Sequence, residues 1–147
     1  MAQVIEKKEW RNREEVYADR REAGEVLAAM LEPYCKNSAI VLAVPSGGVP
    51  VGLAISRILR IDFDLIIIRK IPIPGETEAG FGAISLEGDL MLNQQLVQSL
   101  RLTPEIIQQQ KKPVEQELRE RNLLFRGNRP LPELAQRTVV LVDDGLA

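Results

Sequence analysis

The residues of this 147-residue chain that could do chemistry fall in three short stretches: Pro45-Ser46-Gly47-Gly48-Val49-Pro50, Arg69-Lys70 and Asp143-Asp144-Gly145. Glycine admits backbone angles that aim successive N–H groups at one point, and a helix N-terminus adds partial positive charge. The first stretch could therefore cradle a phosphate or pyrophosphate. The same glycines also suit a tight strand-to-helix turn packed close to its neighbours. Arg69 and Lys70 could neutralise a polyanion, Arg by bidentate contact and Lys as a point charge; equally, they suit a solvated strand end. Asp143 and Asp144 carry acceptor oxygens fit for a cis-diol such as ribose, or for a cation, and could stabilise positive charge developing on a sugar ring. Two adjacent acids after Val139-Val140-Leu141-Val142 are costly near a core unless something binds them.

Each stretch follows a run of β-prone residues: 38–44 (SAIVLAV), 63–68 (FDLIII) and 139–142 (VVLV). Such runs read as strands buried on both faces, and ligands of open parallel sheets bind at strand C-terminal ends. A first helix is expected from near Asp19, which makes a D-x-x-E capping box with Glu22. Ala23, Val26, Leu27, Met30 and Leu31 give it an apolar stripe, and Pro33 ends it. A second helix should start near Pro50 and run through Leu59. Residues 71–83 (IPIPGETEAGFGA) are rich in Pro and Gly and read as a flexible loop. Residues 84–92 could form a hairpin-like excursion, and 93–100 a short helix.

Thr103-Pro104-Glu105 opens a longer helix, which Pro113 must kink or split. Glu115/Arg119 and Glu117/Arg121 are spaced as i,i+4 pairs on it. Residues 1–18 form a polar arm with Trp10 and Tyr17 as anchors. The order of elements implies an α/β domain over 1–147, a mostly parallel sheet flanked by helices.

Composition narrows the chemistry. The chain has no histidine and one cysteine, Cys35. His-based acid/base catalysis, Ser-His-Asp triads, intrachain disulfides and most zinc sites are thereby excluded. With 19 basic and 21 acidic residues, net charge −2, no basic field points to nucleic acid. No apolar stretch reaches membrane-spanning length, which makes the cytoplasm the simplest home. The G-x-x-x-x-G-K-[ST] loop of Walker NTPases is missing, and Gly47-Gly48…Gly52 lacks dinucleotide G-x-G-x-x-G spacing. A phosphate cradle, a cation pair and diol-binding acids in one crevice describe a receptor for a phosphorylated ribose.

Here the chain resembles the type I phosphoribosyltransferases, in the branch known only as predicted phosphoribosyltransferases. The matching stretches are Asp19-Arg20-Arg21-Glu22-Ala23-Gly24, Val41 through Gly52, Arg69-Lys70, Glu78-Ala79-Gly80-Phe81-Gly82-Ala83 and Val139 through Ala147, in family order. The resemblance implies a parallel α/β sheet with a mobile loop after Lys70 and a small hood. It implies transfer of phosphoribosyl from 5-phosphoribosyl 1-diphosphate, bound with Mg²⁺, to a nitrogen of an unidentified base, in nucleotide metabolism. By the same resemblance Ser46, Gly47 and Gly48 lie in the pyrophosphate loop and Arg69 and Lys70 meet the diphosphate. Asp143 and Asp144, the catalytic acids, hold the ribose hydroxyls, with Gly145 beside them.

The branch usually has Arg where Ser46 stands. Its acidic pair continues into a Thr-Gly-x-Thr loop that cradles the 5-phosphate, so this sequence is expected to end inside that loop, C-terminally incomplete. A non-catalytic phosphoribosyl- or nucleotide-binding regulatory module, or an inactive truncated fragment, is the alternative. A shortened sheet would leave Val139–Val142 near an unprotected edge, so either self-association as a homo-oligomer or marginal stability is expected.

Overall fold

A computed structural model describes residues 3–35 and 38–145. Its elements run α1 (Arg20–Leu31), β1 (Ile40–Ala43), α2 (Gly48–Leu59), β2 (Asp62–Leu65), β3 (Ile68–Ile73), β4 (Glu76–Ser85), β5 (Leu90–Leu92), α3 (Gln94–Ser99), α4 (Pro104–Arg126) and β6 (Val139–Val142). The chain is α/β, as its order of elements implies.

One sheet is parallel, in the order β2-β1-β6, with Ile40 beside both Asp62 and Val139. Strand β1 is central, and Ile40, Val41, Leu42 and Ala43 are each at most 2% exposed. Helices α1 and α2 cover one face, where Ala28, Val51 and Ile55 meet Val41 and Val142. At the N-terminal edge of this sheet Arg137 acts as a staple. Its guanidinium donates to the carbonyls of Ser38 and Ala39 at 2.9 and 3.1 Å and to the Asp62 carboxylate at 2.6 Å. The strand ends opposite the staple carry two of the three candidate stretches, the glycine turn after β1 and the acids after β6.

The helix starts follow local rules. The Asp19 side chain accepts the Glu22 N–H at 2.8 Å, and Glu22 reaches back to the N–H of Ala18, so the capping box closes one residue early. Helix α2 begins at Gly48, with Pro50 in its first turn. Thr103 caps α4 by accepting the Ile106 N–H at 3.3 Å.

Several expectations are corrected. The 139–142 run is not buried on both faces: Val139 is 41% and Leu141 61% exposed. Strand β6 lies at the sheet edge, and the α1–α2 layer covers only the face of Val140 and Val142. Residues 71–83, expected as a loop, are strand: β3 and β4 form an antiparallel hairpin, and β5 adds to β4. The prolines are tolerated because β3 is an edge strand with register shifts around Pro72. The glycines serve close packing, since a Cβ on Gly82 would lie 2.6 Å from the Met91 carbonyl oxygen.

The sheet system is thus one parallel and one antiparallel half. Helix α4 is not split by Pro113, which sits exposed on a continuous helix. Water can serve the carbonyl that the proline leaves without a partner. The expected Glu115/Arg119 and Glu117/Arg121 pairs are replaced: Glu115 pairs with Lys111 at 3.1 Å, and Glu117 reaches Arg69 on β3.

The second sheet has its own core, in which Ile67, Ile71, Phe81 and Ile84 meet Val114 and Leu118 of α4. A buried ion pair joins the halves. Arg126, 2% exposed at the end of α4, donates to Asp64 on β2 at 2.9 Å and to the Pro130 carbonyl at 2.8 Å.

Candidate functional site

Strands β1 and β6 end side by side, and the turn after β1 is pressed against the acids after β6. A Cβ on Gly48 would lie 2.6 Å from the Val142 carbonyl oxygen and 3.1 Å from the Asp143 Cα. A Cβ on Gly47 would fall within the Asp144 carboxylate. The glycines are there for approach: Gly47 has φ −66, a conformation open to any residue. The Pro45–Ser46 peptide is cis. The Gly48 N–H goes to the Val44 carbonyl at 3.0 Å and the Val49 N–H to Ser46 at 3.3 Å. Among the described residues the N–H groups of Ser46 and Gly47 have no such partner. The cradle therefore offers two N–H groups at the head of α2, fewer than its glycines suggested.

Asp143 and Asp144 are both exposed. The Asp143 carboxylate accepts the Asp144 N–H at 2.9 Å. Arg20, in the first turn of α1, donates through Nε and Nη2 to Oδ2 of Asp144 at 2.9 and 2.7 Å. This guanidinium is the main reason the Asp144 carboxyl is held below its ordinary range; partial desolvation opposes it. Arg20 is the residue of this cleft that sequence reasoning did not single out. Its only signal was its place in the Asp19–Gly24 stretch, where it also reads as an ordinary first-turn charge.

The acids, Arg20 and Tyr17 wall a cleft of about 360 Å³, floored by Val51. Trp10 meets Tyr17 edge-on, with ring centroids 5.4 Å apart at 85°, and Lys7 sits over Trp10. The arm thus supplies an aromatic wall to the cleft. Gly145 lies exposed at the end of the described residues; Leu146 and Ala147, where the 5-phosphate loop was expected to begin, lie outside them.

Arg69 and Lys70 are placed elsewhere. They lie on β3 rather than at the end of a parallel strand, because the 63–68 run divides into β2 and the start of β3. Arg69 donates to Glu117 at 3.1 and 2.6 Å, and Lys70 to the Glu78 carbonyl. They line a separate depression of about 180 Å³ with Thr77 and Pro113. The structure brings Gly47 and Gly48 against Asp143 and Asp144, with Ser46 next in the turn, but the cleft walled by the acids is lined by none of these three residues, and Arg69 and Lys70 lie elsewhere. A larger groove of about 380 Å³ between α1 and α2, rimmed by Arg21, Glu25 and Arg57, holds none of the expected residues.

Among the described residues no group of three or more His, Cys, Asp or Glu could hold a metal ion, and no helix is long and apolar enough to cross a membrane.

No family model matches the chain. Two curated proteins of Mycobacterium tuberculosis, from two strains and each named "Putative phosphoribosyl transferase", are 33% identical to it over 132 residues. That alignment takes in 90% of this chain and 30% of theirs, so the chain spans under a third of the length of these relatives. The crystal structure of TT1426 from Thermus thermophilus superimposes with a TM-score of 0.72 at 33% identity, over 86% of this chain and 60% of that one. Along nine-tenths of its length the chain is similar in sequence to these phosphoribosyl transferases, which supports its assignment to the phosphoribosyltransferase family.

Proposed function

We propose that the surface where the β1–α2 turn meets the acids after β6, beside the cleft those acids wall, binds 5-phosphoribosyl 1-diphosphate, and that the protein passes the phosphoribosyl group to a base nitrogen. The observation that carries this reading is the contact of Gly47 and Gly48 with Asp143 and Asp144. It sets free N–H groups at a helix head against two carboxylates, one arrangement for diphosphate and ribose together.

The nucleophile would displace pyrophosphate at the anomeric carbon through an oxocarbenium-like transition state. Asp143 and Asp144 would hold the ribose hydroxyls and oppose the positive charge that develops on the ring. Catalysis would then rest on positioning and electrostatics, which needs no histidine. Mg²⁺ fits as an ion carried mainly by the diphosphate, since such an ion asks one or two carboxylates of the protein and this acid pair can supply them. When bound it would neutralise charge on the leaving diphosphate. Arg69 and Lys70 would reach the diphosphate only if the β3–β4 hairpin moved towards the cleft and Arg69 left Glu117.

Incubating the chain with donor, Mg²⁺ and a panel of nucleobases tests the proposal by pyrophosphate release. Base-dependent release lost in Asp144→Asn supports it. Saturable calorimetric binding without release would turn the reading to a regulatory module. Absence of binding would overturn both.

A further inference from the structure

We infer that Arg20 is the positioning residue of the acid pair: from the first turn of α1 it pins one oxygen of Asp144, and so fixes which carboxylate oxygens an incoming ribose meets. The inference rests on the donor-binding reading above for its ligand, but its geometry stands without it.

Arg20 and Asp144 lie 124 residues apart in sequence, yet both guanidinium bonds converge on the single oxygen Oδ2. Asp144 is restrained from two further sides. Its own N–H is tied to Oδ1 of Asp143, and Gly47 lies directly behind its carboxylate. These contacts consume one oxygen of each acid. Among the described residues no hydrogen bond reaches Oδ1 of Asp144 or Oδ2 of Asp143, and a cis-diol needs two acceptors.

The base from which Arg20 reaches is rigid. Asp19 and Glu22 cap α1 one residue away, and Gly24 on the same helix presses onto α2, where a Cβ would lie 2.7 Å from that of Ala54. Arg20 is 59% exposed and Asp144 35%, so the pair adds little to stability. A surface pair that converges on one oxygen, at a cleft lined by three acids and a tyrosine, is better explained by orientation. The other titratable groups facing Asp144 are Asp143, Asp19 and Tyr17; Val51 is the only wall residue from α2, and it carries no charge.

The experiment uses the full chain as wild type, Arg20→Gln, Arg20→Lys, Asp144→Asn and the double variant Arg20→Gln/Asp144→Asn. The Asp144 carboxyl is titrated by carbon-detected NMR, and donor binding is measured by calorimetry with Mg²⁺. Arg20→Gln should raise the Asp144 pKa and weaken donor binding by about 10-fold, the scale of losing a partner that orients a ligating group. Arg20→Lys should recover part of both effects. In the Asp144→Asn background Arg20→Gln should change binding little further, because the two act through one oxygen. An Asp144 titration and donor affinity both unmoved in Arg20→Gln would overturn the inference, as would full additivity of the two substitutions. If wild type fails to bind the donor at all, the donor reading falls, and an unmoved Asp144 titration would sink the positioning role separately.

Discussion

The carboxylate of Asp144 occupies the space in which a side chain at residue 47 would begin. Gly47→Ala should therefore act on Asp144 rather than on the fold. Asp144 is exposed and can swing aside, so the stability cost should be about 0.5 kcal/mol or less, while donor affinity falls with the loss of the Arg20 contact. Gly48→Ala differs, because its Cβ would meet the backbone of Val142 and Asp143, which cannot swing. It should cost about 1–3 kcal/mol in urea unfolding. Equal stability of the two variants would contradict this distinction.

The parts of the fold that follow local rules were legible in the sequence. Strand β1, the Asp19 and Thr103 caps and the acids after β6 each announce themselves within a few residues. The β3–β4 hairpin did not, because Pro72, Gly80 and Gly82 are loop residues by propensity. Only tertiary context, an edge position for Pro72 and close strand approach for Gly82, makes them strand. The Arg20–Asp144 contact and the diversion of Arg69 to Glu117 depend on how distant elements dock, which spacing does not encode. Half of the candidate site could be read from the sequence, and that half was the part set by β1 and β6.

Two opposed magnitudes meet at Gly24. In an isolated helix Ala is favoured over Gly by about 1 kcal/mol. Here a Cβ would collide with the Val51 carbonyl oxygen and the Ala54 side chain on α2. Crowding should win: Gly24→Ala is expected to lower the thermal midpoint, and to disturb Arg20 four residues earlier. A raised midpoint would show that α1 can move away without cost.

The buried Arg126–Asp64 pair should be sensitive to which partner is removed. Arg126→Ala would leave the half-buried Asp64 without its partner and should cost about 1–3 kcal/mol. Arg126→Met keeps most of the volume and should cost less when paired with Asp64→Leu than alone. Chemical denaturation of the single and double variants measures the coupling directly. The Arg126 Nε is buried without a partner, so this pair begins from incomplete satisfaction.

Acid should weaken the protein through carboxylates held below their ordinary range. Asp144 owes this mainly to Arg20, and Glu105 to its own backbone N–H and the Thr103 hydroxyl. A folded-state pKa lower than the unfolded one contributes stability that is present above the unfolded value and lost as pH falls through the folded one. Thermal midpoints should therefore decline below about pH 4, and Arg20→Gln and Thr103→Ala should each flatten that decline. Midpoints rising towards low pH would contradict the assignment.

Among the described residues β6 is an edge strand, and Leu141 is exposed on it. Exposed apolar edges pair with other chains, and an edge lysine opposes this. Size-exclusion chromatography should show concentration-dependent association of the wild type that Leu141→Lys reduces. A wild type that stays monomeric at every concentration would count against it.

The two hydrophobic clusters divide the described residues between two packing layers. The β1–β2–β6 layer with α1 and α2 carries the glycine turn and the acids, whereas the β3–β4–β5 layer with α4 carries Arg69 and Lys70. A ligand that touched both would act as thermodynamic glue, tying the unfolding of one layer to that of the other. Linkage requires that tightness of capture and cooperativity of unfolding rise together. Ligand recognition and domain integrity would in that case be a single free energy, read from two directions.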